Sequence, residues 1–151
     1  MQQLYRIAKR KYVRDLSGRG AYLYGGRWNE HRIHALYCST SRPLAVLELL
    51  VHRSGGLLSL DDIMMIELTV PDDCIVDMYS ATLQLLADDD VQAQELLCRE
   101  AFDDISVVGV RVASAVLPQE SNVILNPRSD FHKGLTIIDE YPIRVDSRLL
   151  T

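Results

Sequence analysis

Apolar and polar positions change their period several times along this chain, and each change marks an element. Leu4 to Ala8 reads as a short first strand, followed by a loop rich in glycine and charge through Gly18, Gly20, Gly25 and Gly26. Ala35 to Ser39 predicts a second strand. The hydroxyls of Ser39-Thr40-Ser41 then offer helix caps and Pro43 sits where a first turn tolerates it, so a helix is expected from about Arg42 to His52, ended by Gly55-Gly56. Ile63 to Val70 alternates as a strand closed by Pro71, and Cys74 to Met78 reads as another. Ala81 to Ala87 and Val91 to Phe102 have helical periodicity, separated by Asp88-Asp89-Asp90, which reads as a solvated loop. The remainder is extended: Val107 to Ala113, Asn122 to Leu125, Leu135 to Asp139 and Ile143 to Val145 carry the β-branched content of strands. With no repeat, low-complexity tract or linker, one α+β domain over residues 1–151 is expected, a mixed sheet with short helices.

Composition narrows the class. With 48% hydrophobic and 25% charged residues, the chain has the makings of an ordinary soluble globular core. The amino terminus lacks an apolar signal region and no apolar run approaches the ~20 residues that span a bilayer, so a cytoplasmic protein without a membrane partner is expected. Cys38, Cys74 and Cys98 are odd in number and far apart, which suits buried free thiols better than disulfides or a zinc knuckle. The net charge of −5 argues against general affinity for nucleic acid. It conceals an asymmetry, because residues 1–32 hold eight basic side chains against Asp15 and Glu30. That front segment faces something anionic, or, for Lys9 to Lys11, is a solvated basic loop balancing an acidic body.

Two features carry candidate chemistry. In Gly25-Gly26-Arg27-Trp28-Asn29 a glycine pair permits positive φ and close approach, Arg27 offers a planar fork of donors for phosphate or carboxylate, and the only Trp and an amide follow in the same turn. The competing reading is a tight turn whose Trp28 plugs the core. The second feature is Glu48, the only charge among Leu44 to Val51, where a helix apolar on every side is expected to be mostly buried. An enclosed carboxylate is costly unless paired or hydrogen-bonded, so a cation such as Arg27 or Arg6, a set of donors, or a polar cavity is implied. Tyr37, mid-strand, reads alone as a core aromatic. Ser114 has no His or acid beside it and no nucleophile elbow. His31 and His34 lack a third ligand, so no metal is expected.

These pieces fall in a known order. Leu4-Tyr5-Arg6-Ile7, Leu16-Ser17-Gly18-Arg19-Gly20-Ala21, Tyr24-Gly25-Gly26-Arg27-Trp28-Asn29, Leu36-Tyr37-Cys38-Ser39 and Leu44-Ala45-Val46-Leu47-Glu48 strongly resemble the RES-domain family. Val112-Ala113-Ser114-Ala115-Val116-Leu117-Pro118, Asn122-Val123-Ile124-Leu125-Asn126-Pro127 and Asp146-Ser147-Arg148 extend the resemblance over nearly the whole chain. It implies the toxin of a bacterial toxin–antitoxin pair, with a fold similar to the ADP-ribosyltransferase toxins, that destroys NAD. It further implies an Xre-type helix-turn-helix antitoxin as partner, with DNA reached only through that antitoxin.

On the same analogy Arg27, Tyr37, Glu48 and Ser114 are the catalytic set, with Ser121 as an alternative to Ser114. Arg6, Gly25, Gly26, Trp28, Asn29 and Asn126 are the residues expected to bind NAD, which is substrate and not prosthetic group. The acceptor of the ADP-ribosyl unit is left open among phosphate, water and a protein side chain. Transfer to a protein, or a non-catalytic module binding RNA or an acidic partner, are the rival readings.

Overall fold

The computed structural model describes residues 1–53 and 60–150. Strands β1 (Gln2–Lys9), β2 (Leu36–Ser39), β3 (Ile63–Val70), β4 (Ile75–Asp77), β5 (Gly109–Ala113), β6 (Ser121–Leu125) and β7 (Thr136–Pro142) form one sheet, and helices α1 (Arg19–Tyr24), α2 (Arg42–Arg53), α3 (Tyr79–Ala87) and α4 (Val91–Phe102) pack on or beside it. The strand order is β4-β5-β6-β2-β1-β3-β7. Only β4 and β5 run parallel; the other neighbours are antiparallel, which makes the sheet mixed as expected.

Side chains alternate across this sheet, so residues opposite one another share a face. One face is a dry cluster of Leu4, Leu36, Cys38, Met64, Ile66, Leu68, Val70, Val123 and Leu125, with Val13 of the β1–α1 connection tucked against it. Ile75 at one edge and Ile137 at the other both pack on this cluster, so the sheet curls around it. On the other face, Val110, Val112 and Ile124 meet Cys98 and Phe102 of α4. The registers Asn122↔Ser39, Ser39↔Tyr5 and Tyr5↔Glu67 lay a row of polar side chains across that second face, where α2 packs on β1 and β2.

Helix α2 begins as its sequence dictates, with Ser41 Oγ accepting the Leu44 N–H at 3.2 Å. Its expected end at Gly55-Gly56 lies outside the described residues. The expectation that it is buried all round does not hold: Leu44, Ala45 and Leu49 are buried, while Leu47 and Val51 are exposed, because only one face meets the sheet. Asp90 caps α4 by accepting from Ala93 N, which gives one member of the acidic triplet a local structural task.

Three segments differ from the pattern-based expectation. The glycine-rich stretch contains α1, a six-residue helix between Gly18 and Gly25 that is too short to show a hydrophobic period. Ile143 to Val145 lies beyond the end of β7 at Pro142 and is not a strand. Between β3 and β4 a 3₁₀ turn over Asp72–Cys74 replaces the front of the expected strand. The basic run starts at Lys9, the last residue of β1, and continues as a surface turn: Lys9 Nζ donates to Asp61 O, Arg10 Nε to Asp62 Oδ1 at 2.7 Å, and Lys11 lies over the Tyr12 ring.

Candidate active site

Strands β1 and β2 are registered only at Tyr5↔Ser39. Beyond that pair, Arg6 to Lys9 stay with β3 while Leu36 to Cys38 stay with β6, so the two halves of the sheet part and leave a cleft. A cavity of about 360 Å³ occupies it, walled by Arg6, Arg27, Trp28, Tyr37, Glu48 and Asn122 among others. The size lies in the range of small-molecule sites. Helix α2 supplies one wall and the 25–29 turn another.

That turn is built by its glycines. Gly25, at φ 71, ends α1 by donating its N–H to Ala21 O at 2.8 Å. Gly26 and Asn29 close a two-residue hairpin through Gly26 N to Asn29 O, 3.0 Å, with Arg27 and Trp28 at its apex. A Cβ on Gly26 would stand 2.6 Å from Tyr37 Oη and 2.8 Å from Asn29 Oδ1, so the position admits only glycine without movement. The two apical side chains separate. Trp28 turns inward, 3% exposed, and joins the Cys98–Phe102 cluster, so the core-plug reading is correct even though its ring also borders the cavity. Arg27 turns outward, and its guanidinium makes no hydrogen bond or ion pair among the described residues.

Tyr37 is locked by this turn. Its hydroxyl donates to Asn29 Oδ1 at 2.6 Å and accepts from Trp28 N at 3.1 Å, and burial pushes its pKa well above the ordinary phenol value. It remains protonated and presents its ring to the cavity.

Glu48 is half-buried on the cavity wall. Its Oε1 accepts from Ser114 Oγ at 2.7 Å and from Asn122 Nδ2 at 2.7 Å. No ion pair joins it to Arg6 or Arg27 among the described residues, so the expected guanidinium partner is replaced by neutral donors. Oε2 has no hydrogen bond among the described residues and is open to a ligand. Ser114 is fully enclosed, and its oxygen accepts from Val116 N and Leu117 N, both at 3.2 Å, so the hydroxyl proton has one direction left, towards Glu48. Asn122 is oriented in turn by Ser39 Oγ, which donates to its Oδ1 at 2.9 Å.

Arg6 reaches the cleft from the β1 side. Its Nη1 donates to Val13 O at 2.9 Å, it makes no ion pair among the described residues, and burial holds its pKa below the usual guanidinium value. The cleft therefore contains an enclosed positive charge that makes no ion pair among the described residues, with Asp15 acting on it through space and Glu48 on the same cavity wall.

A family model described as the RES domain matches residues 3–146. The chain belongs to the RES-domain family of toxins. It is similar to a protein named Toxin Res from Photorhabdus laumondii, 38% identical over 151 residues that cover 97% of this chain and 96% of that one. A protein named Prs ADP-ribosylating toxin from a Sphingobium species is 32% identical over 126 residues, 80% of this chain and 78% of that one. Among solved structures, a chain of the M. tuberculosis MbcT-MbcA toxin-antitoxin complex aligns with a TM-score of 0.71 at 17% identity, over 94% of this chain and 84% of that one, which is a likeness of fold.

In this RES-domain toxin the cavity gathers Arg6, Gly25, Gly26, Arg27, Trp28, Tyr37 and Glu48 from the candidates named by sequence. Asn29 and Asn126 are not on its wall. Asn29 Nδ2 is taken by Ala21 O, Glu30 O and Ile33 O, and it holds the turn together. Asn126, fully buried, donates to Phe102 O and Val107 O and accepts from Arg128 N, so it organises a loop instead of a ligand. Ser114 lies behind Glu48 as a positioning group, and Ser121 Oγ points to Arg111 Nη1 at 3.2 Å, away from Glu48. Sequence reasoning passed over Asn122, Tyr5 and His52, all on the cavity wall. An amide in an apolar strand was the available signal for Asn122. His52, one helical turn after Glu48, also follows from i, i+4 spacing.

His34 stacks on Tyr22 with ring centroids 4.4 Å apart and its Nδ1 meets Ser17 O, which gives it a local task. Among the described residues no group of three or more His, Cys, Asp or Glu side chains is placed to hold a metal ion. No helix among them is long and apolar enough to cross a membrane.

Proposed function

We propose that this RES-domain toxin belongs to a toxin–antitoxin pair and degrades NAD in the cytoplasm by cleaving the bond between nicotinamide and ribose, with water or phosphate as acceptor and no metal or prosthetic group. The observation that carries the reading is Glu48 Oε1 held by two donors in a cavity also lined by Arg6 and Arg27, which make no ion pair among the described residues.

Cleavage of that bond places positive charge on the ribose as the nicotinamide leaves with the bonding electrons. A carboxylate fixed beforehand stabilises that charge without reorganising during the reaction, and Oε2 of Glu48 is the free oxygen for it. Arg6 and Arg27 meet the pyrophosphate, whose charge answers an enclosed guanidinium that makes no ion pair among the described residues. Tyr37, kept neutral, offers its ring to the flat leaving group, and Trp28 closes the floor behind it. The antitoxin, by the same reading, is a helix-turn-helix protein of the Xre type.

Purified protein freed of any partner is mixed with NAD, with and without inorganic phosphate, and nicotinamide release is followed. Release that Glu48→Gln abolishes is the expected result, and its dependence on phosphate assigns the acceptor. Intact NAD after prolonged incubation rejects the reading. ADP-ribosylation of a protein is the second reading, favoured by the name of the Sphingobium relative. Label from NAD would then appear on a protein instead of in free sugar nucleotide. A non-catalytic module binding RNA or an acidic partner is the remaining reading; the ion pair of Arg10 with Asp62 takes one charge of the basic segment away from it.

A further inference from the structure

Cleaving the bond between nicotinamide and ribose leaves one proton to be handled. The nicotinamide ring is cationic in NAD and departs neutral with the bonding electrons, so it needs no acid. A water acceptor, in contrast, must lose a proton as its oxygen bonds to the ribose carbon. Glu48 Oε2 is committed in that reading to the charge on the ribose.

The cavity wall holds one further base. His52 lies one helical turn after Glu48 on α2 and lines the same cavity, with its side chain exposed at the open side. Its Nδ1 meets Glu48 O at 2.6 Å. A carbonyl oxygen only accepts, so Nδ1 carries the proton and donates, and the lone pair of the neutral ring is on Nε2 at the opposite edge. Nε2 has no hydrogen bond among the described residues.

The other titratable groups on this wall do not suit the task. Arg6 and Arg27 have no lone pair to give, and burial keeps the Tyr37 phenol and the Cys38 thiol protonated. Tyr5 is a phenol whose ring lies under the Arg42 guanidinium. The wall is equally unsuited to a phosphate acceptor: the Glu48 carboxylate, one turn from His52, repels a dianion, and the two arginines are occupied by the pyrophosphate. Water carries no such charge.

We infer that His52 is the general base that makes water the acceptor. Nε2 takes a proton from a water molecule whose oxygen bonds to the anomeric carbon of the nicotinamide ribose, and the carbon–nitrogen bond breaks with its electron pair going to nicotinamide. The imidazolium then returns its proton to solvent, so ADP-ribose, nicotinamide and one proton leave. The inference rests on the NAD reading above and deepens it by naming the acceptor and the residue that activates it.

A helix-end cap would use Nδ1 alone, and His52→Asn keeps a donor near that position without a base. Nicotinamide release from saturating NAD is followed in phosphate-free buffer with wild type, His52→Asn, His52→Gln and His52→Ala. Each variant should lose about 100-fold in kcat, with KM changed by no more than about threefold. Added imidazole should restore His52→Ala by about tenfold or more and leave Glu48→Gln unchanged, a rescue that a lost cap would not show. His52 is exposed, so thermal midpoints should stay within about a few degrees of the wild type's.

Full activity in His52→Asn assigns the side chain to the helix end and overturns the base, as does His52→Ala without rescue. Release by the wild type only when phosphate is present overturns water as the acceptor. Each of these leaves NAD turnover itself standing. Wild-type protein that leaves NAD intact with and without phosphate overturns the functional reading and the base together.

Discussion

Asn122 Nδ2 donates to Glu48 Oε1 at 2.7 Å across 74 residues of sequence, from the middle of a strand to the middle of a helix. The amide fixes which oxygen of the carboxylate is occupied and so which one faces the cavity. Replacing Asn122 by Asp removes the donor and sets a second carboxylate at that distance, where two adjacent charges disfavour full ionisation of both. Asn122→Asp is expected to lower NAD turnover at neutral pH at least tenfold, with part of the loss recovered as pH falls and one carboxyl protonates. A pH–rate profile parallel to the wild type would reject this role.

Glu48→Gln keeps the shape and removes the charge. Loss of a preorganised electrostatic contact is worth about 100-fold or more in turnover. A variant within twofold of wild type would remove Glu48 from the mechanism. Ser114→Ala acts one step further back: it should lower kcat with little change in KM, because Ser114 touches the carboxylate and not the cavity. It also strands the N–H groups of Val116 and Leu117, a stability loss of about 1–3 kcal/mol measurable by urea titration.

Arg27→Ala separates binding from folding. The guanidinium is exposed and makes no hydrogen bond or ion pair among the described residues, so the thermal midpoint should stay within a degree or two of the wild type's. The KM for NAD should rise about tenfold or more if Arg27 meets the pyrophosphate. Gly26→Ala is the contrasting change: its new methyl group collides with Tyr37 Oη, breaks the hold on Asn29, and should lower both stability and activity.

Glu67 is a buried carboxylate that does not line the Glu48 cavity. It accepts from Tyr141 Oη at 2.6 Å, from Gln3 Nε2 at 2.6 Å and from Arg42 Nη2 at 2.8 Å, and the Arg42 guanidinium lies over the Tyr5 ring. The Tyr141 hydrogen bond, followed by that of Arg42, holds the Glu67 pKa below the ordinary value. A depressed carboxyl pKa favours the folded state above the unfolded value, about 4.3, and that contribution disappears as pH falls through the folded value. Wild type should therefore be more stable than Glu67→Gln at neutral pH. The gap should close as pH drops below about 4; a gap that persists at lower pH would contradict the linkage.

Thiol labelling tests the core directly. Burial pushes Cys38 and Cys98 up to about 12, whereas Cys74 is only half-buried. In native protein at neutral pH a thiol reagent should modify Cys74 first, with Cys38 and Cys98 reacting only on unfolding. Fast native labelling of Cys98 would contradict the packing around Phe102.

Sequence by itself determined the local pieces: the capped start of α2, the periods of β3 and α4, the turn at Gly25–Asn29, and Glu48 as the charge that a greasy helix face had to explain. Each depends on spacing within a few residues, which hydrophobic period and turn chemistry encode. Family resemblance then attached roles to Arg6, Arg27, Tyr37 and Glu48, all of which lie on one cavity.

Tertiary structure decided the rest. Ser114 and Asn122 reach Glu48 from 66 and 74 residues away, and Asn126 and Asn29, equally polar in sequence, are taken up by backbone carbonyls. The parting of β1 from β2 after one registered pair, which opens the cleft, is likewise absent from the local pattern. The reason is physical: hydrophobic period says which face of a strand is buried, whereas strand order and register say which polar groups meet across the fold.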